Sequence, residues 1–472
     1  MNWMAELAHH HNKTRRQYPE DRLLILRMLG VIISFIEQKL SKLICFCFFF
    51  VCIFTVAIEG ALLAQTEITP ADKAQKSDSV QVQHKKYRSK STFESIVSFP
   101  GALVYLPFKL IFKGFGAIVS YVDENKVVQK SQDFLISDDG QRGVVPTYSE
   151  RTGGGINFFQ RGLPTSKSEL SVLITAGARS RQRYQFRLRR VQLWHVLSAD
   201  LLAGYKFLPD EPFFGIGPDT DFEDDRTNFA HKQTTGQVAF GANLHERFTA
   251  KAIVGFEVNS ISRGRNRRYV STTDDPKLAA LPGLETGVSL ARFHFEVRHD
   301  SRNRPVRPRS GGVELLRVGF FEEFGGDQFG FWKATVDLSR QIHLFYNRTL
   351  TFRVAGEITE PLYVRDIPFY YLSELGRKET IRGFQRGRFR DLDMLFGSAE
   401  YRYPIWKIVD AFLFVDAGQV THDIFNDFSI SDSQVGYGVG IQIWGREGVI
   451  SSLAIGKSKD GFRVYFGLNR EL

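Results

Sequence analysis

The residues best suited to chemistry lie in one short stretch, ETIRGFQRGRFRD, from Glu379 to Asp391. It holds four arginines and the triplet Arg382, Gly383 and Phe384, and it matches neither an amphipathic helix nor an alternating strand. Arginine offers a planar fork that binds carboxylates, glycine lets the backbone approach a neighbour, and phenylalanine supplies packing area. The triplet therefore predicts a loop anchored on a wall, and a solvated basic loop is the alternative.

Patterns of catalysis or metal binding are not found in the sequence. It contains no Gly-x-Ser-x-Gly elbow and no Walker loop, and its 11 histidines show no spacing typical of a metal site. We therefore expect no catalytic residues, no metal and no cofactor, and we do not expect an enzyme.

An apolar run near the N-terminus indicates export. Lys39 and Lys42 precede LICFCFFFVCIFTVAIEGALLAQ, which holds all three cysteines and ends in small residues near Ala64. This layout is typical of a secretory signal, and a transmembrane anchor is the alternative. We therefore expect an N-terminal extension and signal peptide over residues 1–64, followed by a polar linker over residues 65–92.

A second apolar segment, FESIVSFPGALVYLPFKLIFKGFGAIVSYV, covers residues 93–122. Two prolines interrupt it together with Lys109 and Lys113, and lysines near the middle of a spanning helix would be costly. A helix at a membrane interface fits better, and a helix docked on a soluble domain is the alternative. We assign residues 93–140 as a periplasmic, interfacial helical segment.

From about residue 141 onward the sequence alternates with a period of two. In RFHFEVRH, for example, Phe293, Phe295 and Val297 alternate with charged residues and histidine. A charged face opposite an apolar face in nearly every strand is typical of a membrane barrel with a wet lumen, because only a closed barrel satisfies all backbone groups of a sheet in lipid. A soluble, ligand-binding β-sandwich is the alternative.

Connection lengths predict the number of strands. Ten strands are expected to begin near residues 152, 168, 182, 197, 231, 247, 286, 311, 330 and 347, and five more near 394, 410, 433, 448 and 461. Alternation of short and long connections requires one further strand, for which Arg142–Glu150 is the candidate. The predicted fold is an all-β transmembrane protein, an antiparallel outer-membrane β-barrel of about 16 strands over residues 141–472 with a short N-terminal interfacial helix.

Several stretches in this barrel region form a recognisable series. They are FFGIGPDT at Phe213–Thr220, DSRNRPVRPRSGG at Asp300–Gly312, IRGF at Ile381–Phe384, and SAEYRYPI at Ser398–Ile405 followed by FVDAG at Phe414–Gly418. In this order they resemble motifs of the BamA/TamA-type outer-membrane β-barrel assembly family, also called the bacterial surface antigen superfamily. The resemblance covers about residues 143–472.

The resemblance implies roles for particular residues. In the family the arginine of the triplet meets acidic residues on two wall strands, which matches Arg382 with Glu400 and Asp416. The remaining matches are Phe414 and Gly418 in the wall motif, and Asp300, Arg302, Pro305, Pro308 and Gly311 in the family's turn motif. Most members carry periplasmic POTRA-type repeats, which residues 65–140 do not resemble, so we expect a member without them.

The function implied by the resemblance is insertion or translocation of outer-membrane components, with other outer-membrane proteins as clients. The location would be the outer membrane of a Gram-negative bacterium, with the N-terminal segment in the periplasm. Pro146, which cannot donate to a ladder, predicts a weak seam between the first and last strands. A passive pore or structural barrel without insertase activity is the alternative.

The expected contacts outside the barrel are lipid and lipopolysaccharide rather than nucleic acid, because the chain is exported. The basic cluster SRGRNRRY at residues 262–269 would meet lipopolysaccharide phosphates, although a solvated loop fits equally well. No pattern indicates the oligomeric state.

Overall fold

The computed structural model describes residues 38–45, 135–285, 287–445 and 448–468. In these residues the strands are β1 Arg142–Ser149, β2 Gly153–Arg161, β3 Glu169–Gly177, β4 Arg181–Gln192, β5 Leu197–Phe213, β6 Thr227–His245, β7 Phe248–Arg263, β8 Val288–Asp300, β9 Gly311–Glu323, β10 Gly330–His343, β11 Thr349–Pro361, β12 Ser373–Leu375, β13 Phe389–Asp391, β14 Asp393–Pro404, β15 Val409–Thr421, β16 Gln434–Trp444, β17 Val449–Ser458 and β18 Gly461–Leu468. Short 3-10 turns cover Ala178–Ser180, Thr272–Asp274, Pro276–Leu278, Phe345–Asn347, Phe369–Tyr371 and Ile430–Asp432.

Sixteen of these strands close into one antiparallel barrel. Neighbours in the chain pair with each other, except that β11 pairs with β14, because β12 and β13 form a separate small sheet inside the connection between them. The ring closes where β18 returns to β1. This confirms the predicted barrel of about 16 strands, and β1 is the strand that the alternation of connections required.

The two faces of the wall differ in chemistry, as the alternation predicts. On β8, Arg292 points inward to Glu257 of β7, whereas Phe293 and Phe295 on the opposite face are 59% and 54% exposed. Inward-facing cations elsewhere also meet carboxylates, as in Arg317–Glu296, Lys333–Glu357 and Arg353–Asp337. A soluble sandwich would bury its apolar faces, so the exposed phenylalanines identify the outer face as the lipid-contacting one.

The two ends of the barrel carry different connections. One end, the short-turn end, has connections such as 246–247, 344–348 and 405–408, and the long-loop end has 214–226, 264–287 and 362–392. β5 continues to Phe213 and β6 begins at Thr227, and both of these strand ends are buried in a cap.

That cap has an aromatic core beneath the long loops. Phe369 of the 362–392 connection packs edge-on against Phe213 at 5.2 Å and Phe229 at 4.9 Å between ring centroids. Leu284, from the 264–287 connection, joins the same buried cluster. Because the 264–287 and 362–392 connections share this core, the 362–392 connection is held within the barrel mouth rather than extended into solvent.

The described N-terminal residues, 38–45, form a short helix beside the wall. Leu43 is fully buried against outward-facing side chains that include Trp332 of β10 and Val354 of β11, and Lys39 pairs with Glu360. No helix of the described part of the chain reaches the length and apolarity that a membrane span needs. The predicted signal peptide and interfacial segment lie outside the described residues, apart from these eight and residues 135–140.

Assignment of the outer face to lipid predicts an asymmetric response to charge. Val254→Arg, on the outer face of β7, should lower the free energy of unfolding by about 2–4 kcal/mol, because it places a charge against hydrocarbon. Gln341→Arg on the inner face of β10, in register with Thr351, is the control and should cost much less. Denaturant titration of both variants in lipid vesicles measures the difference, and equal losses would contradict the assignment.

Candidate functional site

The triplet lies inside the barrel, where the 362–392 connection meets β14 and β15. Arg382 grips Asp416 with two atoms, Nε donating to Oδ2 at 2.7 Å and Nη2 to Oδ1 at 2.8 Å, and its Nη1 donates to Glu400 Oε2 at 2.9 Å. The guanidinium carbon stands 3.6 Å from the ring centroid of Phe414. A paired fork stacked on an aromatic face is the geometry for which arginine, unlike lysine, is suited.

This ion pair is held away from bulk water. The side chain of Asp416 is fully buried and that of Arg382 is 12% exposed. Burial lowers the pKa of Arg382, but the hydrogen bonds to Asp416 and the charges of Asp416 and Glu400 outweigh it, so the pKa is raised above its usual range. Ser398 Oγ donates to Asp416 Oδ1 at 2.6 Å, and the backbone N–H of Arg382 donates to Asp416 Oδ2 at 3.0 Å.

Gly383 brings the loop backbone against the last two strands. Its φ of +103° belongs to the region that favours glycine, and a Cβ there would lie 2.8 Å from the carbonyl oxygen of Lys457. Its N–H donates to Tyr465 Oη of β18 at 2.8 Å, and its carbonyl accepts from Ser458 Oγ of β17 at 2.9 Å. The Tyr465 hydroxyl in turn donates to the carbonyl of Phe384 at 2.9 Å.

Glycines in the wall strands leave space for this close approach. A Cβ added to Gly436 of β16 would overlap the carbonyl oxygen of Arg382, and one added to Gly456 of β17 would lie 2.7 Å from the nitrogen of Gly383. At Gly418 of β15 it would lie 3.2 Å from Ile381 Cδ1. These inward-facing glycines form a smooth strip on which the triplet rests.

Phe384 belongs to an apolar cluster that fills the space behind the ion pair. Its ring is 1% exposed and meets Phe389 edge-on at 5.2 Å. The same buried cluster also contains Leu375, Ile381 and Phe396. Burial of one aromatic side chain contributes roughly 2–3 kcal/mol, so this contact is comparable to the ion pair in holding the loop.

The other arginines of the stretch also meet carboxylates rather than water. Arg388, 2% exposed, donates from Nε to Asp460 at 2.8 Å and from Nη1 to Thr220 Oγ1 at 2.7 Å. Arg386 and Arg390 both pair with Glu374, at 3.3 and 3.1 Å. Burial raises the pKa of Glu374, but the surrounding arginines more than reverse this and lower it.

The turn motif occupies a separate place, at the short-turn end between β8 and β9. Arg302 Nε donates to Asp300 Oδ1 at 2.8 Å within the turn, and Gly311 begins β9. Arg402 of β14 donates to the carbonyl of Pro308, while Arg307 Nε reaches Asp410 of β15 at 2.9 Å. Pro305 lies in the same turn. The turn therefore contacts β14 and β15 at the short-turn end of the barrel. It does not touch the triplet, which contacts the same two strands farther along.

Sequence reasoning missed Tyr465, Ser458 and Asp460. Of the glycine strip it identified Gly418, through the wall motif, but not Gly436 or Gly456. The period-two pattern did contain a signal for Tyr465, because it places Val464 and Phe466 on the lipid face and Tyr465 on the opposite one. An aromatic residue on a polar face is a candidate for a lumenal contact. In the described residues no group of three or more His, Cys, Asp or Glu side chains could hold a metal ion.

The buried pair predicts a coupled loss. Arg382→Ala should cost roughly 3–5 kcal/mol in docking of the loop, because it leaves Asp416 buried without its cation. The wall should stay folded, since its strands pair independently of the triplet. Limited proteolysis near Arg386–Arg390 should accelerate while unheated samples keep the gel migration of the folded barrel.

A double-mutant cycle with Asp416→Asn tests whether the two side chains act as one unit. The combined effect should be smaller than the sum by about 0.5–3 kcal/mol, because either change alone breaks the same contact. Additive effects, or a wild-type loop that is already cut readily, would show that the pair does not hold the loop.

The glycine strip gives a second, independent prediction. Gly436→Ala should displace Arg382 and accelerate proteolysis of the loop, because the added methyl group overlaps the Arg382 carbonyl. Gly397→Ala on β14 is the control, since its Cβ meets nothing within 4 Å. Unchanged cleavage in the first variant would mean that the strip does not support the loop.

Comparison with known proteins places this geometry in a family. The family model described as the Omp85 superfamily domain matches residues 143–445. The solved structure of BamA from Haemophilus ducreyi lacking POTRA domains 1-3 is similar at a TM-score of 0.50 and 15% identity, covering 69% of each chain. This likeness shows the shared barrel fold.

CdiB from Acinetobacter baumannii matches at a TM-score of 0.44 and 10% identity, over 69% of this chain and 58% of that one. Among the curated proteins none matches. The superfamily assignment agrees with the expected non-enzymatic barrel and indicates an outer-membrane protein of a Gram-negative bacterium. Because the family model covers well over half of the chain, the chain belongs to the Omp85 superfamily.

Proposed function

We propose that this barrel aids the insertion or translocation of outer-membrane components, with other outer-membrane proteins as its clients. The observation that carries the proposal is the seam between β1 and β18. Among the described residues these strands share one paired position, Tyr148 with Leu468, whereas β1 and β2 pair along eight. A wall that opens at one seam can accept a client strand by edge pairing or release it into lipid.

The seam is supported near the long-loop end by contacts other than a ladder. The N–H of Phe466 donates to the carboxylate of Glu150 at 3.1 Å, and the rings of Tyr148 and Phe466 stand 5.5 Å apart. Pro146 has no N–H to contribute from β1. Separation of these strands therefore breaks few backbone hydrogen bonds.

The two sides of the seam are held unequally. On one side, β18 contacts the loop through Tyr465, and Arg388 of the loop binds Asp460 between β17 and β18. On the other side, β1 has the same length as β18, eight residues, and is held by its ladder with β2. In this proposal β1 moves when the seam opens, while the triplet and Arg388 hold β18 in place. The anchor role of Arg382 is thus to keep one edge fixed.

The proposed orientation follows from β1. If the long loops face outward, β1 enters from the periplasm, where we place the residues directly before Arg142, the end of the proposed interfacial segment. The basic cluster at 262–269 then faces lipopolysaccharide. Arg267 and Arg268 are exposed in that cluster, as contact with phosphates requires. Arg263 forms an ion pair with Asp274, with Nε and Oδ2 2.8 Å apart.

A reversible lock of the seam tests the proposal. Tyr148→Cys with Leu468→Cys, in a background where the native cysteines are serine, should form a disulfide that abolishes assisted insertion of a client barrel into liposomes. Reduction should restore insertion, because it breaks the disulfide and allows β1 and β18 to separate. A second pair, Phe158→Cys with Val172→Cys between β2 and β3, is the matched control and should leave insertion unchanged.

The outcomes separate insertase from pore. Full insertion activity with the seam locked would overturn the seam mechanism. A wild-type barrel that shows conductance in planar bilayers but no client insertion, locked or unlocked, would favour the passive pore.

A further inference from the structure

The inner wall beside β4 and β5 differs from the rest of the lumen in its charge. Arg183 of β4 and Lys206 of β5 stand directly opposite each other in the strand register. Arg183 donates from Nη2 to Gln185 Oε1 at 2.9 Å, and in the described part of the chain neither cation has a carboxylate within salt-bridge distance. Two facing cations without an acidic partner contrast with the paired cations of β8 to β11.

These two side chains line a cavity of about 390 Å³ inside the barrel. Three more cations, Arg151, Arg292 and Arg386, border it, and no carboxylate is found among its described lining residues. Those three are each paired with a glutamate behind the lining, at Glu211, Glu257 and Glu374. The positive charge that faces the cavity is therefore supplied mainly by Arg183 and Lys206.

Neutral donors surround the same space. The hydroxyl of Thr235 lines the cavity, as does Gln233, which is in register with Lys206 and whose amide donates to Glu257 and Asn259. A second cavity of about 380 Å³ adjoins it and shares Arg183 and Gln185, while Arg187 and Arg189 extend the basic wall toward the short-turn end. A planar fork, an ammonium and neutral donors together suit a tetrahedral oxyanion with several acceptor atoms better than a halide ion.

Like charges in a partly dry space repel each other. The carboxylates of Glu211 and Glu374 line a neighbouring cavity with Lys206 but do not form an ion pair with it. A bound polyvalent anion would supply a direct negative partner for both Arg183 and Lys206. We propose that Arg183 and Lys206 form a lumenal site for a phosphate-type oxyanion carrying two or more negative charges. The site is separate from the triplet and does not depend on insertase activity.

Two sources could present this chemistry, a soluble phosphate ester that enters the lumen and the phosphorylated headgroup of a lipid. The second cavity is bordered by Val145 and Thr147 of β1, so a headgroup that enters at the seam would reach Arg183 first. The shared feature is the phosphate group, and the experiment distinguishes its sources.

Inorganic pyrophosphate is the probe, titrated calorimetrically into the purified full chain in a zwitterionic detergent at low ionic strength. Lys206→Gln and Arg183→Gln should each weaken binding about tenfold, because each removes a charge-assisted hydrogen bond. Lys232→Gln is the matched control. It makes the same change in charge on the outward face of β6, where Lys232 lies over the ring of Phe207, and should bind as the wild type does. Heat-dependent gel migration verifies that every variant is folded.

Competition identifies the source. Nanodiscs containing diphosphoryl lipid A should displace pyrophosphate from the wild type if a headgroup is the ligand, and neutral-lipid nanodiscs should not. Pyrophosphate binding without displacement would point to a soluble phosphate ester and would still support the site. Absence of pyrophosphate binding to the folded wild type, or equal affinity in Lys206→Gln and Lys232→Gln, would overturn the proposal.

Discussion

The structure depends on one constraint, that a backbone in lipid must satisfy its own hydrogen bonds. A sheet can do so only by closing on itself, and closure brings β18 back to β1 across a ladder that has one paired position among the described residues. The same constraint assigns a solvent to each face, lipid outside and water inside. Period-two alternation in the sequence therefore follows from this constraint. Among the described residues, the seam is the position where the fewest backbone groups pair across neighbouring strands.

A ring of this width creates a second problem, because side chains alone cannot fill its lumen. The 362–392 connection lies in this lumen, and its arginines contact residues of the wall and of the last hairpin. Arg382 and Arg388 each bring a fixed charge to a buried carboxylate on the wall or the last hairpin. Charged contacts of this kind specify one position for the loop, whereas an apolar plug would leave its position along the wall less well defined.

The sequence predicts the strands of the wall better than it predicts the contacts between the loop and the wall. The strands could be predicted because alternation and connection lengths are local signals, and β9, β10 and β18 begin where expected. Arg382 was matched to Glu400 and Asp416 through the family motif, and in the structure the three side chains are in contact. Tyr465 and Gly436 were missed because their roles depend on which strand lies beside the loop, and contacts between residues so far apart in the chain leave no local pattern.

Closure of the ring also determines the order in which the molecule can be built. Glu150 and Phe466, which meet at the seam, are 316 residues apart in the chain, so ring closure carries a large loss of chain entropy and we expect it late in folding. The Tyr465–Gly383 bond spans a shorter separation, and it positions β18 from inside the barrel. The docked loop therefore acts as an internal template on which the final hairpin is laid before the two edges meet.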